Sequence, residues 1–312
     1  MKKRLDTTWG YWRGRLRLAA ARAVLAALGW LPLPAAQRLG TWLGRLAWVM
    51  RGSTRRTIEA NLAQCLPELD DGQRKTLARE TLIETGKGVV ETASAWHWDQ
   101  SDVGAVVRTM DGFEPIEQAI ETGRGAILLA PHIGNWELGG LATGARVPTT
   151  VMYRPPREPA MEQLLVEFRA RFGAAMAPAN LGGVRKALRA LKRGELVAIL
   201  PDQAPRHGEG VMAPFFGQPA LTMTLIRTLT RRTGVPVFTG WAERLPDARG
   251  FRIHYAPVTE PIDHDDPVEA AAALNRVVER VVRENPSQYQ WTYRRFRRQA
   301  SGRARGGQRR ED

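Results

Sequence analysis

The sequence contains a single cysteine and lacks the short motifs of several common enzyme classes. With Cys65 alone the chain can form no internal disulfide, which is compatible with a reducing compartment. It has no G-x-S-x-G nucleophile elbow, no P-loop, no H-E-x-x-H and no C-x-x-C motif, so none of the chemistries that depend on them is indicated. Cys65 lies in the apolar setting Gln-Cys-Leu-Pro, which is typical of an inert core thiol.

Long uncharged apolar runs are missing from the N-terminal region as well. Its longest charge-free run, residues 23–37, has 15 residues and contains Pro32 and Pro34. A straight transmembrane helix needs roughly 18 or more apolar residues, and proline interrupts it. Because no small-residue cleavage site follows the run, a secretory signal peptide is not expected either.

Residues 1–52 nevertheless have the pattern of an apolar helical membrane anchor. A basic cluster opens the chain, and a second apolar helix is predicted at about residues 35–50. The two apolar segments can form a hairpin in one leaflet, or the first can span the bilayer at a tilt. In either arrangement the basic start favours the cytoplasmic side. Seven of the ten tryptophans lie in the first hundred residues, and tryptophan is frequent at membrane interfaces.

An excess of basic residues gives the chain a net charge of +14 and a pI near 10.8. Such a surface suits an anionic partner, which can be nucleic acid, an anionic membrane, or an acidic protein or substrate. Most of the basic residues are arginines, which bind phosphate and carboxylate groups through paired hydrogen bonds. Arginine and glycine are frequent from Arg294 onward, and residues 299–312 are predicted to form a basic, disordered tail.

Short apolar runs alternate with helical patterns along a main domain predicted at residues 53–298. The runs suit buried strands, and they lie at residues 125–130, 149–153, 195–200, 235–241 and 251–255. Helices are predicted at residues 158–172, 183–193, 221–233 and 267–284, after a helical stretch over 54–100 with a turn at 70–72. This alternation predicts an α/β fold with a mostly parallel sheet flanked by helices.

His132 and Glu137 directly follow the first predicted strand, in the segment Ala-Pro-His-Ile-Gly-Asn-Trp-Glu. On one helix this spacing would turn the two side chains roughly 140° apart, so they could not share a face. They can meet if His132 lies in the loop and Glu137 in the first helical turn, with Asn135 as the N-cap. Histidine can take a proton from an alcohol at neutral pH, and a carboxylate can hold its tautomer. A packing or capping role for this histidine is the alternative.

Asp202 follows the third predicted strand, in the segment Leu-Pro-Asp-Gln, with Arg206 and His207 close by. Because the carboxyl ends of parallel strands meet at one edge of a sheet, Asp202 can face the same cleft as His132. It would bind substrate phosphate or shape the acceptor site, or it would belong to an ordinary turn. The segment Pro-Phe-Phe-Gly at residues 214–217 provides an apolar wall, either for an acyl chain or for the core.

These segments resemble a known family, the lipid A late acyltransferases, also called the lauroyl/myristoyl acyltransferases, over nearly the whole chain. Several spaced motifs in the right order are more specific than one. One departure is Tyr293, where we expect histidine. Besides the histidine block, the matching segments are residues 153–155, 169–173, 200–203, 214–217, 285–286 and 290–296.

The resemblance implies a glycerolipid-acyltransferase-like fold and an enzyme at the cytoplasmic face of a bacterial inner membrane. It implies transfer of a fatty acyl group from acyl-carrier protein to a hydroxyl of a lipid A precursor, with His132 as the general base assisted by Glu137. No metal or other cofactor is expected. Acyl-carrier protein is acidic and the lipid acceptor is phosphorylated, so both suit an arginine-rich surface. The candidate substrate-binding residues are Arg154, Arg169, Asp202, Asn135 and Arg206.

Three other interpretations stay open at this point. Relatives of the family acylate other membrane lipids, including ornithine-type lipids, polyene lipids and glycolipids. The resemblance therefore determines the acceptor lipid less closely than the type of reaction. A membrane-tethered nucleic-acid-binding protein would explain the tail and the pI but not the histidine block; no RNA- or DNA-binding motif is present, so nucleic acid is not an expected partner. A metal-dependent hydrolase would use His132, Glu137, Asp202 and His207.

Overall fold

The computed structural model describes residues 27–95, 97–156, 159–206 and 208–296. The basic start of the predicted anchor, the side chain of His207 and the whole of the predicted tail therefore lie outside the described residues.

After a helical end at residues 27–29, three complete helices follow, and they agree with the helices predicted at about residues 35–50 and 54–100. Two of them pack with their backbones in contact, because a Cβ added to Gly86 would lie 2.2 Å from the carbonyl oxygen of Gly40. A larger residue at Gly86 would therefore push these two helices apart. The three are α1 (Leu33–Met50), α2 (Ser53–Cys65) and α3 (Asp71–Ala95), and the close pair is α1 with α3.

One face of α1 is buried and the other is exposed. Ala36 and Gly40 are buried against the protein, whereas Trp42 and Met50 are 60% and 71% exposed. Within the described residues, no helix has the length and apolar character needed to cross a membrane. The predicted N-terminal membrane anchor therefore finds no support in this part of the chain.

A seven-stranded sheet and a separate hairpin make up the β-structure. The sheet strands are β1 (Val107–Asp111), β2 (Ala126–Leu129), β3 (Thr149–Tyr153), β4 (Ala175–Pro178), β5 (Leu196–Ile199), β8 (Val237–Arg244) and β9 (Phe251–Pro257). The hairpin consists of β6 (Gly210–Phe215) and β7 (Gln218–Met223). The remaining α-helices are α4 (Gln100–Val106), α5 (Glu114–Glu121), α6 (Trp136–Gly144), α7 (Pro159–Ala170), α8 (Leu181–Lys192), α9 (Leu225–Thr233) and α10 (Pro267–Glu284).

The order of strands across the sheet is β1-β9-β8-β2-β5-β3-β4. Every neighbouring pair is parallel except β8 and β9, which are antiparallel, so the predicted α/β fold with a mostly parallel sheet is confirmed. The central strands β2 and β5 read Ala-Ile-Leu-Leu and Leu-Val-Ala-Ile, and every residue in them is buried. Strands of this kind need helices on both faces of the sheet, which the alternating helices supply.

Four strands are absent from the sequence prediction: β1, β4, β6 and β7. β1 has the sequence Val-Arg-Thr-Met-Asp and is largely exposed, so it offers no apolar run to recognise. The hairpin contains Pro214 and Pro219, and proline is normally a signal against a strand. Residues 221–223 belong to β7. The helix predicted at residues 221–233 therefore begins only at Leu225.

The apolar wall predicted at residues 214–217 turns out to be core. Phe215 and Phe216 are buried and pack in one cluster with Ile58, Leu62 and Trp291. Cys65 lies in the same cluster.

Burial raises the pKa of the Cys65 thiol to about 12. The thiol therefore stays protonated at neutral pH, as expected of an inert core cysteine.

Arg295 does not belong to an exposed basic segment, although arginines are frequent from Arg294 onward. It is 4% exposed, and its guanidinium donates to the hydroxyl of Thr222 at 3.0 Å and to the carbonyl of Leu221. Its side chain fixes the end of the described chain against the hairpin.

Candidate active site

The loop between β2 and α6 carries His132, as predicted. Helix α6 begins at Trp136, and its N-cap is Asn135, whose Oδ1 accepts a hydrogen bond from the Leu138 N–H at 3.0 Å. This cap satisfies one of the free N–H groups at the helix start. It also places Glu137 in the first turn of the helix, as the spacing predicted.

Gly134 allows this loop to pass very close to β8. Its φ is +62°, a conformation that favours glycine, and an added Cβ would lie 1.8 Å from the carbonyl oxygen of Ala242. The loop is hydrogen-bonded on both sides: the Gly134 N–H donates to Gln288 at 3.0 Å, and the Asn135 N–H donates to Ala242 at 2.9 Å. The backbone on either side of the loop thus limits the positions that His132 can take.

His132 is held by Asp202 and not by Glu137. The imidazole Nδ1 lies 2.8 Å from Oδ1 of Asp202, and the backbone N–H of His132 donates to Oδ2 at 3.0 Å. The prediction that Glu137 fixes the imidazole is therefore wrong about the partner. Asp202 takes this place because it follows β5, the strand that pairs with β2, so the two loops leave the sheet side by side.

The charge on Asp202 determines which nitrogen of His132 carries the hydrogen. Burial favours the neutral carboxyl, but the interactions with His132 outweigh it and hold the pKa of Asp202 below its ordinary value. An ionised carboxylate can only accept, so Nδ1–H donates to it, and in a neutral imidazole the lone pair is then on Nε2. The side-chain amide nitrogen of Gln203 lies 3.2 Å from this Nε2, where it can donate to it.

Glu137 makes a paired contact with Arg169, another predicted site residue. The guanidinium Nε and Nη2 lie 3.0 and 2.5 Å from the two carboxylate oxygens, and both side chains are mostly buried. Arginine holds a carboxylate in this two-fold manner with defined geometry. Since both oxygens of Glu137 are engaged, the pair forms a second charged unit next to His132 and Asp202.

A narrow cavity of about 50 Å³ lies between α6 and one face of the sheet. Glu137 and Arg169 line it near the start of α6, and Thr143 and Tyr255 line it about two turns further along the helix. The remaining lining residues are almost all apolar or glycine, chiefly Leu128, Ala130, Trp136, Gly140, Leu141, Val151, Ala198, Leu200, Gly240 and Ile253. The cavity is therefore apolar along its length and polar at its two ends.

Thr143 and Tyr255, which line the cavity away from the ion pair, form a hydrogen-bonded pair. The Tyr255 hydroxyl and the Thr143 hydroxyl lie 2.7 Å apart, and both residues are buried. Burial raises the pKa of Tyr255 well above its ordinary value, so the phenol is neutral. Gly240 opposes Tyr255 in the sheet and leaves the space beside its ring free of side chain.

Two predicted substrate-binding residues are not part of this cluster. Arg154 directly follows β3 and Arg206 follows Asp202 by four residues, and both are exposed. They lie beyond the carboxyl ends of their strands, at the same edge of the sheet as His132.

Several residues at the site escaped the sequence prediction. Gln203 bridges to Gln290 at 3.2 Å, and Tyr289 lies against Asp202, with burial and that carboxylate raising the pKa of its hydroxyl. Gln203 and Gln290 both fall inside segments that carry the family resemblance, which is the signal that could have found them. Glu91 and Arg244, described below, had no such signal.

The described residues contain no group of three or more histidine, cysteine or acidic side chains that could hold a metal ion. His207, named in the hydrolase interpretation, lies outside them.

Comparison with known proteins identifies the family. The chain matches the family model described as bacterial lipid A biosynthesis acyltransferase over residues 9–298. It belongs to this family. The protein is therefore an acyltransferase, as the resemblance implied.

Three relatives from Escherichia coli strain K12 illustrate the similarity. The chain is 30% identical to the lipid A biosynthesis lauroyltransferase over 273 residues, which cover 87% of the chain and 88% of the relative. It is 31% identical to the lipid A biosynthesis palmitoleoyltransferase over 268 residues, covering 86% of each. It is 25% identical to the lipid A biosynthesis myristoyltransferase over 292 residues, covering 91% of the chain and 85% of the relative.

Replacing Asp202 by asparagine should lower kcat about 10²-fold or more, with the fold retained. The carboxylate accepts two N–H groups of His132 and an amide has one acceptor oxygen, so one contact is lost together with the charge that stabilises an imidazolium. Steady-state kinetics of acyl transfer would measure the change. Asp265→Asn, which alters an exposed carboxylate paired with Arg231, is the control and should keep the parental kcat. A parental kcat in Asp202→Asn would exclude a role for the His132–Asp202 contact in the reaction.

Proposed function

We propose that the protein transfers a fatty acyl group from acyl-carrier protein to a hydroxyl of a lipid A precursor, with His132 as the general base. The observation that carries this proposal is the His132–Asp202 contact, because it leaves Nε2 of the imidazole as a proton acceptor. Trp136, whose ring lies 5.1 Å from the imidazole, lines the adjacent apolar cavity. The relatives support the proposal, since the names of the first two specify lauroyl and palmitoleoyl transfer in lipid A biosynthesis.

In the proposed reaction, Nε2 of His132 removes the proton of the acceptor hydroxyl as its oxygen attacks the thioester carbonyl. Asp202 stabilises the imidazolium that forms. When the C–S bond breaks, the imidazolium returns its proton to the departing thiolate, so an ester and a free thiol result. A thioester is already activated, so no nucleophilic cysteine is required. The buried, protonated Cys65 is in keeping with this.

Glu137 and Arg169 have a different role in this proposal. Their contact holds the guanidinium at the cavity, next to the loop of His132. A fixed positive group there can stabilise the negative charge that develops on the thioester carbonyl oxygen. Glu137 then acts by orienting Arg169, and its loss should affect the same step that Arg169 serves.

We further propose that the cavity receives the acyl chain. Its lining is apolar between the ion pair and the Thr143–Tyr255 pair, as a hydrocarbon requires. Because the cavity is narrow, an entering chain must displace side chains along its walls. Chain length would then depend on small lining residues such as Gly140, where an added Cβ would meet no atom within 4 Å.

The enzyme is proposed to work at the cytoplasmic face of the inner membrane, with α1 against the lipid. Beside the exposed Trp42, an open groove of about 570 Å³ is lined by Arg38, Arg45 and Lys87. Among the described residues, neither Arg38 nor Arg45 forms an ion pair, although Asp247 lines the same groove, so both can bind lipid phosphates. Exposed apolar side chains beside basic ones are typical of a helix that lies in a membrane interface.

Replacing His132 by alanine should lower kcat about 10²- to 10⁴-fold, because the general base is removed. Purified protein would be given acyl-carrier-protein and coenzyme A thioesters with a lipid A precursor, and mass spectrometry would count the acyl groups added. Cys65→Ala is the control and should keep most of the activity. Transfer by folded His132→Ala at the parental rate would contradict the mechanism. Transfer to another membrane lipid only would contradict the acceptor.

Replacing Gly140 by leucine should shift the preference toward shorter acyl donors. A Cβ at Gly140 meets no atom within 4 Å, so the larger side chain fits the backbone and occupies the cavity. The measurement is kcat/KM over a series of donors of increasing chain length. Gly104→Leu is the matched control, because Gly104 is also helical and open but lies outside the cavity lining. An unchanged profile for Gly140→Leu would mean that the acyl chain binds elsewhere.

The double variant Arg38→Gln with Arg45→Gln should bind anionic vesicles more weakly, on the order of 30-fold, at about 1 kcal/mol per basic residue near the surface. The measurement is co-sedimentation of the full chain with anionic and with neutral vesicles at two salt concentrations. Arg185→Gln with Arg189→Gln removes the same charge from the exposed face of α8. Equal weakening by both pairs would show that net charge, and not this groove, mediates binding.

A further inference from the structure

A buried ion pair lies behind the loop of His132. Glu91, in the last turns of α3, is 0% exposed, and Arg244, at the end of β8, is 4% exposed. The Arg244 guanidinium donates to the two carboxylate oxygens of Glu91 at 2.6 and 2.5 Å, and also to Glu84 at 2.6 Å. Burial opposes the charge on Arg244, but the two carboxylates outweigh it and raise its pKa.

Two side-chain amides complete the surroundings of Glu91. Gln37 of α1 donates to Oε1 at 2.8 Å, and Asn135 of the active-site loop donates to Oε2 at 3.2 Å. Each carboxylate oxygen therefore accepts one hydrogen bond from Arg244 and one from an amide. A buried charge needs such complete pairing, so the position of each amide is tied to that of the carboxylate.

Asn135 uses both ends of its amide. Its Oδ1 accepts from the Leu138 N–H as the N-cap of α6, while its Nδ2 donates to Glu91. Serine and aspartate are also good N-caps, but an ionised aspartate has no donor, and the single hydroxyl oxygen of serine cannot occupy both positions that the amide oxygen and nitrogen of Asn135 occupy. The choice of asparagine is thus explained by Glu91, not by the cap alone.

The other side of the loop is tied to the same ion pair. Gln288 exchanges two hydrogen bonds with the backbone of Arg244, both at 2.9 Å, and its own carbonyl accepts from the Gly134 N–H at 3.0 Å. Gly134 and Asn135 occupy the two positions before α6. Gly134 is connected to Arg244 through Gln288, and Asn135 is hydrogen-bonded to Glu91, the partner of Arg244.

We propose that Glu91 is a positioning residue for acyl transfer, acting through Asn135 on the loop that carries His132. This inference rests on the proposed function, in which His132 performs the chemistry. Neither Glu91 nor Asn135 has to touch the reacting atoms. Misplacing a catalytic group by about 1 Å can cost roughly 10²-fold in rate, so loosening the loop should lower kcat more than it changes KM.

The test is a donor–acceptor exchange at the Glu91–Asn135 contact. Asn135→Asp keeps the cap but sets two carboxylates against each other, and Asn135→Ser keeps the cap without the contact. Glu91→Gln combined with Asn135→Asp reverses donor and acceptor and retains one carboxylate at the contact, but the introduced amide NH2 also faces a guanidinium nitrogen of Arg244. We expect kcat to fall about 10-fold or more in both Asn135 single variants, and to recover at least in part in the exchanged double variant.

The controls separate positioning from stability. Asn180 caps α8 through its Oδ1 in the same way as Asn135 caps α6, but it has no contact with Glu91. Asn180→Asp and Asn180→Ser should therefore keep the parental kcat. The midpoint of thermal unfolding, measured for every variant, should fall further in Asn135→Ser than in Asn180→Ser, because only Asn135→Ser leaves the buried Glu91 carboxylate short of a donor. The kcat of each variant is therefore measured below the lowest of these midpoints.

Parental kcat in Asn135→Ser and Asn135→Asp would overturn the inference. So would an equal loss of kcat in Asn135→Ser and Asn180→Ser, because a perturbed helix cap would then explain the loss without the Glu91 contact. Failure of the proposed function looks different: the parental protein would not transfer acyl groups, or His132→Ala would be as active as the parent.

Discussion

The active site depends on the parallel pairing of β2 with β5. Leu129 is in register with Ile199, so the chain leaves both strands at the same height and on the same edge of the sheet. Residues 70 apart in sequence, His132 and Asp202, thereby come within 2.8 Å of each other. One further strand between β2 and β5 would separate the two loops by about 4.8 Å more, beyond the reach of a hydrogen bond.

Around this pairing, two charged units divide the site. His132 with Asp202 lies over the strand ends, and Glu137 with Arg169 lies at the first turn of α6, next to the cavity. Each carboxylate has one charged or chargeable partner, so we relate each unit to one function: proton transfer in one and the fixed orientation of a cation in the other. The four side chains come from separate loops and helices, and none of them belongs to both pairs.

The local features of this site could be predicted from the sequence. An apolar run, Pro131, Gly134 and a capping Asn135 determine a strand, a loop and a helix start within a few residues, and all of these were found. The partner of His132 could not be predicted, because it depends on which strands are neighbours. Glu137 was the nearer acid in sequence, but the adjacent strand brought Asp202 to the imidazole instead.

The difference between local sequence features and contacts of distant residues also explains which strands the sequence prediction missed. The central strands were found because their burial on both faces requires an apolar run, whereas the largely exposed β1 has no such requirement. The β6–β7 hairpin is stabilised by partners distant in sequence, such as Asn275, whose amide donates to the carbonyl of Pro214 at 2.8 Å. Arg295 belongs to this group as well, since its burial follows from the hairpin and not from its basic neighbours.

The contact of Gln37 with Glu91 has a practical meaning for any attempt to shorten the protein. Residue 52 is an attractive place to cut, because it directly precedes α2 and the exposed Trp30, Trp42 and Met50 lie before it. Such a cut would remove α1, expose the surface of α3 that Gly40 covers, and leave a carboxylate oxygen of Glu91 without its amide donor. A fragment intended to keep a well-ordered active-site loop should therefore retain the chain from before Leu33, exposed tryptophan included.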